Sequence, residues 1–252
     1  MFNNYLFRCS GLGYLMTEAR SKSKTLSATT KSYLRDQFIK VRFGRTQDLS
    51  NKYLIKGIAV EDDSITLLSM HMREMLTKNE AKLTNDYLSG TPDLIYGDVV
   101  IDIKSRWDIY SYFKTIDEPM DKMNYWQLVG YMELTGCNKA KIVNTLINTP
   151  FEQIQNELKR EQYQWANSVP AWREIEIIKN SVYDFDTFNN YVGIITMVQS
   201  DEDKKMFDSF VEINDRVNIV EIERNDKDVE DLYNRIFESR IYLNSLCNKF
   251  SN

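Results

Sequence analysis

The sequence has few histidines, cysteines, prolines and glycines, and each shortage excludes a kind of protein. Its 252 residues include one His, three Cys, four Pro and nine Gly. Because His71 is the only imidazole, the chain holds no hydrolytic metal site built from several histidines. The cysteines form no CxxC pair, which argues against a structural zinc site and indicates free thiols in a reducing compartment. Proline and glycine do not cluster, so no flexible linker is expected.

Long apolar segments are also missing. No uninterrupted apolar run reaches about 18 residues and no signal-peptide pattern opens the chain, so we expect a cytoplasmic protein without a membrane partner. Hydrophobic residues make up 42% and charged residues 27%, which is typical of a globular protein. A chain of this length can bury a large core, and we expect a single domain spanning residues 1–252.

Charge is distributed unevenly along the chain, although the net charge is only −5. Residues 1–60 contain eleven Lys or Arg and three Asp or Glu, a net charge of +8, whereas the remainder carries −13. A basic segment on an acidic protein is typical of a surface that binds a polyanion such as a nucleic acid. The alternative is an ordinary solvated helical surface.

Apolar periodicity and turn residues divide the chain into helices and strands. Helices are predicted at residues 29–43, 50–72, 107–115, 122–135, 150–165, 201–210 and 226–248. Strands are predicted at residues 93–96, 99–105, 139–147 and 217–223, whereas 174–178 fits a strand or a helix end. This order predicts an α/β fold with a mixed central sheet flanked by helices. Its parts are a basic helical segment (1–60), a core (61–150) and a completing segment (151–252).

The chemically informative segment is a predicted hairpin that carries two acids and a lysine. Asp93 begins the first strand, and Asp102 and Lys104 lie two apart in the second, so their side chains project from one face. A charged pair on an otherwise apolar strand is unfavourable unless the charges are paired or functional. Two carboxylates with an adjacent ammonium are suited to metal-assisted cleavage of a phosphodiester. The alternative is a surface hairpin with an ordinary ion pair.

Two motifs in this region resemble those of a known nuclease superfamily. Pro92-Asp93, followed after eight residues by Asp102-Ile103-Lys104, resembles the signature of the PD-(D/E)XK nucleases. Gln127 and Tyr131 lie four apart on a predicted helix, hence on one face, and are similar to the QxxxY motif of the RecB-like and lambda-exonuclease-like branches.

A third motif lies upstream of the hairpin. Gly57 and Glu61 resemble the Gly-xxx-Glu helix of the lambda-exonuclease-like (YqaJ-type) branch, whose Glu faces the metal site. The resemblance, which covers residues 1–150, implies a restriction-endonuclease-like core and a Mg²⁺ site that also accepts Mn²⁺. The residues it assigns to the metal are Glu61, Asp93, Asp102 and Ile103. The residues it assigns to catalysis are Lys104, Asp102, Asp93 and Glu61.

The same branch binds the 5′-phosphate of its DNA in a pocket, and matching positions occur in this sequence. They are Ser10 early in the chain, Thr91 two residues before the first acid, and Gln127 of the QxxxY motif. Arg8 is the only arginine upstream of Ser10 and completes the set. Tyr131 is expected to buttress Gln127 or to pack near the DNA.

The resemblance implies an exonuclease that digests duplex DNA from an end during viral or mobile-element recombination. It further implies a homo-oligomer, often a ring, a single-strand annealing protein as partner, and the host cytoplasm as location if the protein is viral. One alternative is a RecB-like endonuclease or a nuclease module of a repair machine. The other is a nuclease fold that no longer cuts and acts as a nucleic-acid-binding or protein-interaction module.

Several residues near these motifs have simpler interpretations. His71, ten residues after Glu61, is interpreted as a structural histidine because it has no obvious partner. Trp107, Tyr110 and Tyr112 follow the hairpin and either stack on bases of a frayed strand or belong to the core.

Overall fold

The computed structural model describes residues 1–21, 25–47, 51–165, 169–195 and 211–250, and the predicted helix at 201–210 lies outside these ranges. The strands are β1 Phe7–Arg8, β2 Leu83–Thr84, β3 Leu88–Gly90, β4 Leu94–Tyr96, β5 Val99–Ser105, β6 Lys139–Thr145 and β7 Val217–Glu223. The helices are α1 Leu12–Leu15, α2 Ala28–Phe43, α3 Lys52–Ala59, α4 Glu61–Met72, α5 Ile109–Asp117, α6 Lys122–Thr135, α7 Phe151–Gln164, α8 Ala171–Lys179, α9 Phe185–Ile195 and α10 Asp226–Lys249. Among these helices, none is both long and apolar enough to cross a bilayer.

The centre of the fold is a mixed sheet. Within the described ranges it has four strands in the order β4-β5-β6-β7. β5 and β6 are parallel, whereas β4 and β7 pair antiparallel with their neighbours. A smaller sheet, β1-β3-β2, packs on α6 through β3. Helices around a mixed sheet confirm the predicted fold class.

Helices cover both faces of β5, as expected for a strand in a parallel pair. On one face, Val100 belongs to a buried cluster that also contains Leu128 of α6. On the other face, Ile101 and Ile103 pack in a separate cluster with Leu68 of α4. Residues of β5 with even numbers therefore face α6, and those with odd numbers face α4.

Capping residues define the ends of several of the predicted helices. The Ser27 hydroxyl accepts a hydrogen bond of 2.9 Å from the Thr30 N–H at the start of α2. Gly44 and Gly136 end α2 and α6 with φ values of 63° and 73°, a conformation that favours glycine. Asp108 caps α5 by accepting from the Ser111 N–H, so α5 begins two residues later than predicted.

The helix predicted at 50–72 is wrong, because two helices meet at Val60. Val60 has φ −113° and ψ 17° and is buried with only 1% of its surface exposed. Leu54 and Ile58, which continue the apolar spacing in the sequence, are 51% and 67% exposed, whereas Lys56 is buried. The two segments thus present differently phased faces to the core, which a continuous helix cannot do. Residues 174–178, left open between strand and helix, lie in α8.

Candidate active site

β5 brings an acid and a lysine into direct contact, as the alternation of its side chains predicts. Asp102 and Lys104 lie beside Ile142 and Asn144 of β6. Asp102 is only 2% exposed, and its Oδ2 lies 2.8 Å from the Lys104 Nζ. A carboxylate this deeply buried is stable as an anion only when it is paired and hydrogen-bonded, and Lys104 supplies the pairing.

Asp93 reaches the same site from the start of the hairpin. Its Oδ2 accepts a hydrogen bond of 2.6 Å from the Ile103 N–H, so the backbone of β5 fixes the position of this carboxylate. Burial raises the pKa of Asp93 to about 7, and the neighbouring Asp102 charge adds to this effect. Burial likewise raises the pKa of Asp102, although the Lys104 ammonium opposes that shift. The two acids therefore lie close enough to disfavour each other's ionisation.

Gln127 of α6 forms hydrogen bonds with both Asp102 and Lys104. Its Nε2 donates to Asp102 Oδ1 at 2.8 Å and to the Tyr131 hydroxyl at 3.0 Å, and its Oε1 accepts from Lys104 Nζ at 3.3 Å. The Tyr131 hydroxyl in turn donates to the Thr91 carbonyl at 3.2 Å. Gln127 and Tyr131, one turn apart on α6, thus contact both the strand that carries Asp102 and the segment that leads to Asp93.

The hydrogen bonds of Gln127 bear on its predicted role as a phosphate donor. A glutamine amide has two N–H donors, and Asp102 and Tyr131 occupy both of them. The only unused capacity of Gln127 is acceptor capacity on Oε1, which a phosphate oxygen cannot use. In this arrangement Gln127 orients Asp102 and Lys104.

A close approach of the chain to Tyr131 depends on Gly90. A Cβ on Gly90 would lie 2.7 Å from the Tyr131 ring, closer than carbon atoms pack without displacement. Glycine therefore allows the segment leading to Thr91 and Asp93 to pass directly along α6.

Glu61 is near the two aspartates but points elsewhere. It begins α4, and its charge contributes to the raised pKa of both Asp93 and Asp102. Its Oε1 is 3.2 Å from the Lys78 Nζ, and its side chain is 35% exposed. In the ranges that the structure describes, no three His, Cys, Asp or Glu side chains converge as they do around a metal ion.

The donor chemistry of this cluster nevertheless fits a hard divalent cation. Asp93 and Asp102 offer carboxylate oxygens, which are the preferred ligands of Mg²⁺ and Mn²⁺. The Asp102 charge helps to raise the pKa of Asp93, and this repulsion is the kind that a cation relieves. The Ile103 side chain packs in the apolar cluster with α4, and the Ile103 N–H donates to Asp93. The only group that Ile103 can offer to a metal is therefore its backbone carbonyl.

A basic cleft opens beside the cluster, on the far side of Tyr131. Its volume is about 450 Å³, and it brings together Arg8, Ser10 and Thr91, the residues predicted to bind a terminal phosphate. Lys40 and Lys82 also line it, although no motif in the sequence marks them as site residues. The remaining lining residues are Cys9, Ser89, Gly90 and Tyr131.

Other candidates lie away from these contacts. Tyr112 is buried in the core, whereas Tyr110 is exposed on α5. Trp107 packs under the ammonium groups of Lys52 and Lys56, at 4.6 and 5.6 Å from the ring centroid. His71 lies in the last turn of α4.

Known exonucleases have this fold over nearly the whole chain. A phage-related exonuclease from Haemophilus somnus 129PT matches with a TM-score of 0.72 and 24% identity, covering 98% of this chain and 97% of that one. An alkaline exonuclease from Laribacter hongkongensis matches with a TM-score of 0.60 and 13% identity, covering 99% and 93%. The same exonuclease in complex with dAMP gives 0.58 and 15%, covering 99% and 95%.

No protein-family model matches the chain, and no curated protein matches its sequence. The structural likeness therefore shows the fold, and it confirms the restriction-endonuclease-like architecture that the three motifs imply.

Proposed function

We propose that this protein is a metal-dependent deoxyribonuclease that digests duplex DNA from an end. The observation that carries the proposal is the contact of Asp102 with Lys104 and Gln127, beside an Asp93 carboxylate that is hydrogen-bonded to the backbone of the strand bearing Asp102. The full-length likeness in fold to a phage-related and an alkaline exonuclease supports the same activity.

Asp93 and Asp102 would hold the cation, which we propose is Mg²⁺ with Mn²⁺ as a substitute. A divalent cation held by these residues would neutralise charge on the scissile phosphate and lower the pKa of a water molecule. Glu61 would become a further ligand only by exchanging its ion pair with Lys78.

Lys104 is the group best placed to act on the phosphate itself. An ammonium has three N–H donors, and the hydrogen bond to Gln127 and the ion pair with Asp102 engage at most two of them. The third can donate to the attacking water or to a phosphate oxygen, on which negative charge develops as the bond breaks. Asp102 and Gln127 fix the direction of that donor because both are themselves buried and hydrogen-bonded.

The basic cleft would hold the terminal 5′-phosphate of the strand being digested. Arg8, Lys40 and Lys82 supply positive charge, and Ser10 and Thr91 supply hydroxyl donors. Because Tyr131 lines the cleft and also contacts Gln127, a phosphate bound there lies beside the catalytic groups. Holding a strand by its end places the first phosphodiester at the site, and this accounts for an end-dependent activity.

The test is to incubate purified protein with end-labelled linear duplex and with covalently closed circular DNA, each with Mg²⁺ or with a chelator. The proposal predicts that Mg²⁺ supports shortening of the linear duplex while the circle stays intact. Equal cutting of the circle would favour the RecB-like endonuclease, and binding without any Mg²⁺-stimulated cleavage would favour an inactive binding module.

The biological setting remains part of this proposal. The phage-related neighbour supports a viral or mobile-element role in recombination, which would place the protein in the host cytoplasm. A homo-oligomer, ring-shaped in form, and a single-strand annealing protein as partner stay predictions from the sequence resemblance. Mass measurement in solution tests the first, and co-purification with an annealing protein from the same source tests the second.

A further inference from the structure

A second cleft continues the catalytic face of the sheet beyond Lys104. It has a volume of about 270 Å³ and lies between α5, α6 and the sheet. Arg106 donates its N–H to the Thr145 carbonyl at 2.8 Å, so strand pairing continues and its side chain lies on the same face as that of Lys104. Asn124, one turn before Gln127 on α6, lines the same cleft. The cleft therefore begins one side-chain row beyond the catalytic groups.

The inner wall of this cleft carries a guanidinium without a bonded counter-charge. Arg106 donates from Nε and Nη2 to Asn144 Oδ1 at 2.9 and 2.5 Å, and that partner is neutral. None of the ion pairs among the described residues includes Arg106. Burial lowers the pKa of Arg106, and Asp121 and Asp102 offset this only through longer-range attraction.

The rim of the cleft does not supply the missing anion. Lys114, Glu118 and Asp121 line the opening, but all three are exposed to solvent, which screens their charges. The Asp121 carboxylate already accepts from the Met123 N–H at the start of α6. The deep part of the cleft thus has a single charged group, and it is positive.

We propose that the Arg106 cleft binds a phosphate group of the nucleic acid, one nucleotide step from the phosphate at the catalytic site. Nη1 of Arg106 bonds to no described residue and is free to donate, and a guanidinium matches the geometry of phosphate oxygens. Asn144 keeps the guanidinium aimed into the cleft. This inference rests on the proposed function. The phosphate belongs either to the DNA strand or to the mononucleotide that digestion releases.

The first experiment measures DNA binding without cleavage. Fluorescence anisotropy of a labelled duplex is followed over a KCl series in chelator, which separates binding from catalysis. Loss of one phosphate contact in Arg106→Gln should flatten the log–log salt slope by about 0.9 for a duplex contact, or about 0.7 for a single strand. Arg106→Lys, which keeps the charge, should retain the slope. Arg160→Gln, an exposed arginine of α7 that lines neither cleft, is the matched control.

A second pair of measurements distinguishes the two sources of phosphate and guards against misfolding. If the site holds the released nucleotide, dAMP inhibits wild-type digestion and Arg106→Gln weakens that inhibition while the salt slope is unchanged. If Arg106→Gln does not fold, Asn144→Asp takes its place. The new carboxylate would pair with the guanidinium, so Asn144→Asp should give the same change that is expected of Arg106→Gln. Unchanged slope and unchanged inhibition in a folded variant overturn the site. A wild type that binds DNA but never cleaves it refutes the nuclease proposal and leaves the slope test valid.

Discussion

The two faces of β5 carry different kinds of side chain, although they belong to one strand. Ile101 and Ile103 are buried against α4 in an apolar cluster. Asp102 and Lys104 face α6 and are held by polar contacts with each other and with Gln127. Burial on the first face stabilises the fold, whereas burial of charge on the second is unfavourable and is explained by the catalytic role proposed for these residues. From Ile101 to Lys104, the strand therefore alternates between apolar packing against α4 and the proposed catalytic groups facing α6.

The largest effect should come from removing an acid on the α6 face. Asp102→Ala should slow Mg²⁺-dependent cleavage by about 10³-fold or more, because the site loses half of its carboxylate pair. Thermal unfolding in chelator should show that the variant remains folded. Ile101→Ala, one residue away on the other face, should lower the free energy of unfolding by about 2–5 kcal/mol. Its folded fraction should cut at the wild-type rate. Equal loss of activity in both variants would contradict the division between the faces.

A smaller effect is expected from Gln127→Ala. Its dependence on the kind of DNA end distinguishes the role of the Asp102 cluster from that of the basic cleft. Gln127→Ala should slow digestion roughly 10–100-fold, the range seen when a group that orients catalytic ligands is lost. Because both amide donors are engaged within the cluster, 5′-phosphate and 5′-hydroxyl ends should be slowed equally.

Lys82→Ala in the basic cleft is the counterpart to this variant. It should reduce the preference for 5′-phosphorylated ends and leave the rate on 5′-hydroxyl ends nearly unchanged. If Gln127→Ala instead abolishes the end preference, the amide binds the phosphate directly, as the sequence resemblance implies.

Stability should depend on pH through Asp93 in the metal-free protein. Its pKa rises from 3.8 in the unfolded chain to about 7 when folded, so the folded state holds the extra proton between these values. Stability should therefore fall as pH rises from about 4 to 7 and remain lowered above 7. Asp93→Asn should reduce this fall, leaving the contribution of Asp102, and should melt higher than wild type at pH 8 in chelator. Chemical denaturation over a pH series measures the effect, and an unchanged pH profile in the variant would contradict it.

A pH dependence of the opposite sign is expected from Lys56. This residue is fully buried, donates to the Trp107 carbonyl at 2.8 Å, and has a pKa lowered by burial to about 7. The unfolded chain holds the proton up to about 10.5, so stability should rise as pH increases from 7 to 10.5. Lys56→Met should eliminate that rise. A rise that persists in the variant would assign it to another group.

Much of the fold and part of the site could be predicted from local sequence alone. Strand alternation places Asp102 and Lys104 together, helical spacing places Gln127 above Tyr131, and Ser27 and Gly136 mark helix ends. Each of these rests on residues within four positions of each other. The fold class is confirmed, whereas the roles of the site residues stay predictions.

The remainder depends on contacts between distant segments, which spacing does not encode. Lys82 lies in the same cleft as Arg8 because β2, which it precedes, and β1, which contains Arg8, both pair with β3. The break at Val60 interrupts an apolar spacing that continues through it, and the change of phase is visible only in the structure, where Lys56 is buried while Leu54 and Ile58 are exposed. The side-chain direction of Glu61 depends on its ion pair with Lys78.

The most direct test of the account is the single-turnover rate of Lys104→Ala on a 5′-phosphorylated linear duplex with Mg²⁺. DNA affinity is measured in parallel with Ca²⁺, which should support binding without efficient cleavage because its coordination is looser. The account predicts a rate reduced by roughly 10²–10³-fold, since the donor aimed at the phosphate is lost, with binding and melting temperature close to wild type. A near-normal rate in a folded Lys104→Ala protein would show that the catalytic site lies elsewhere.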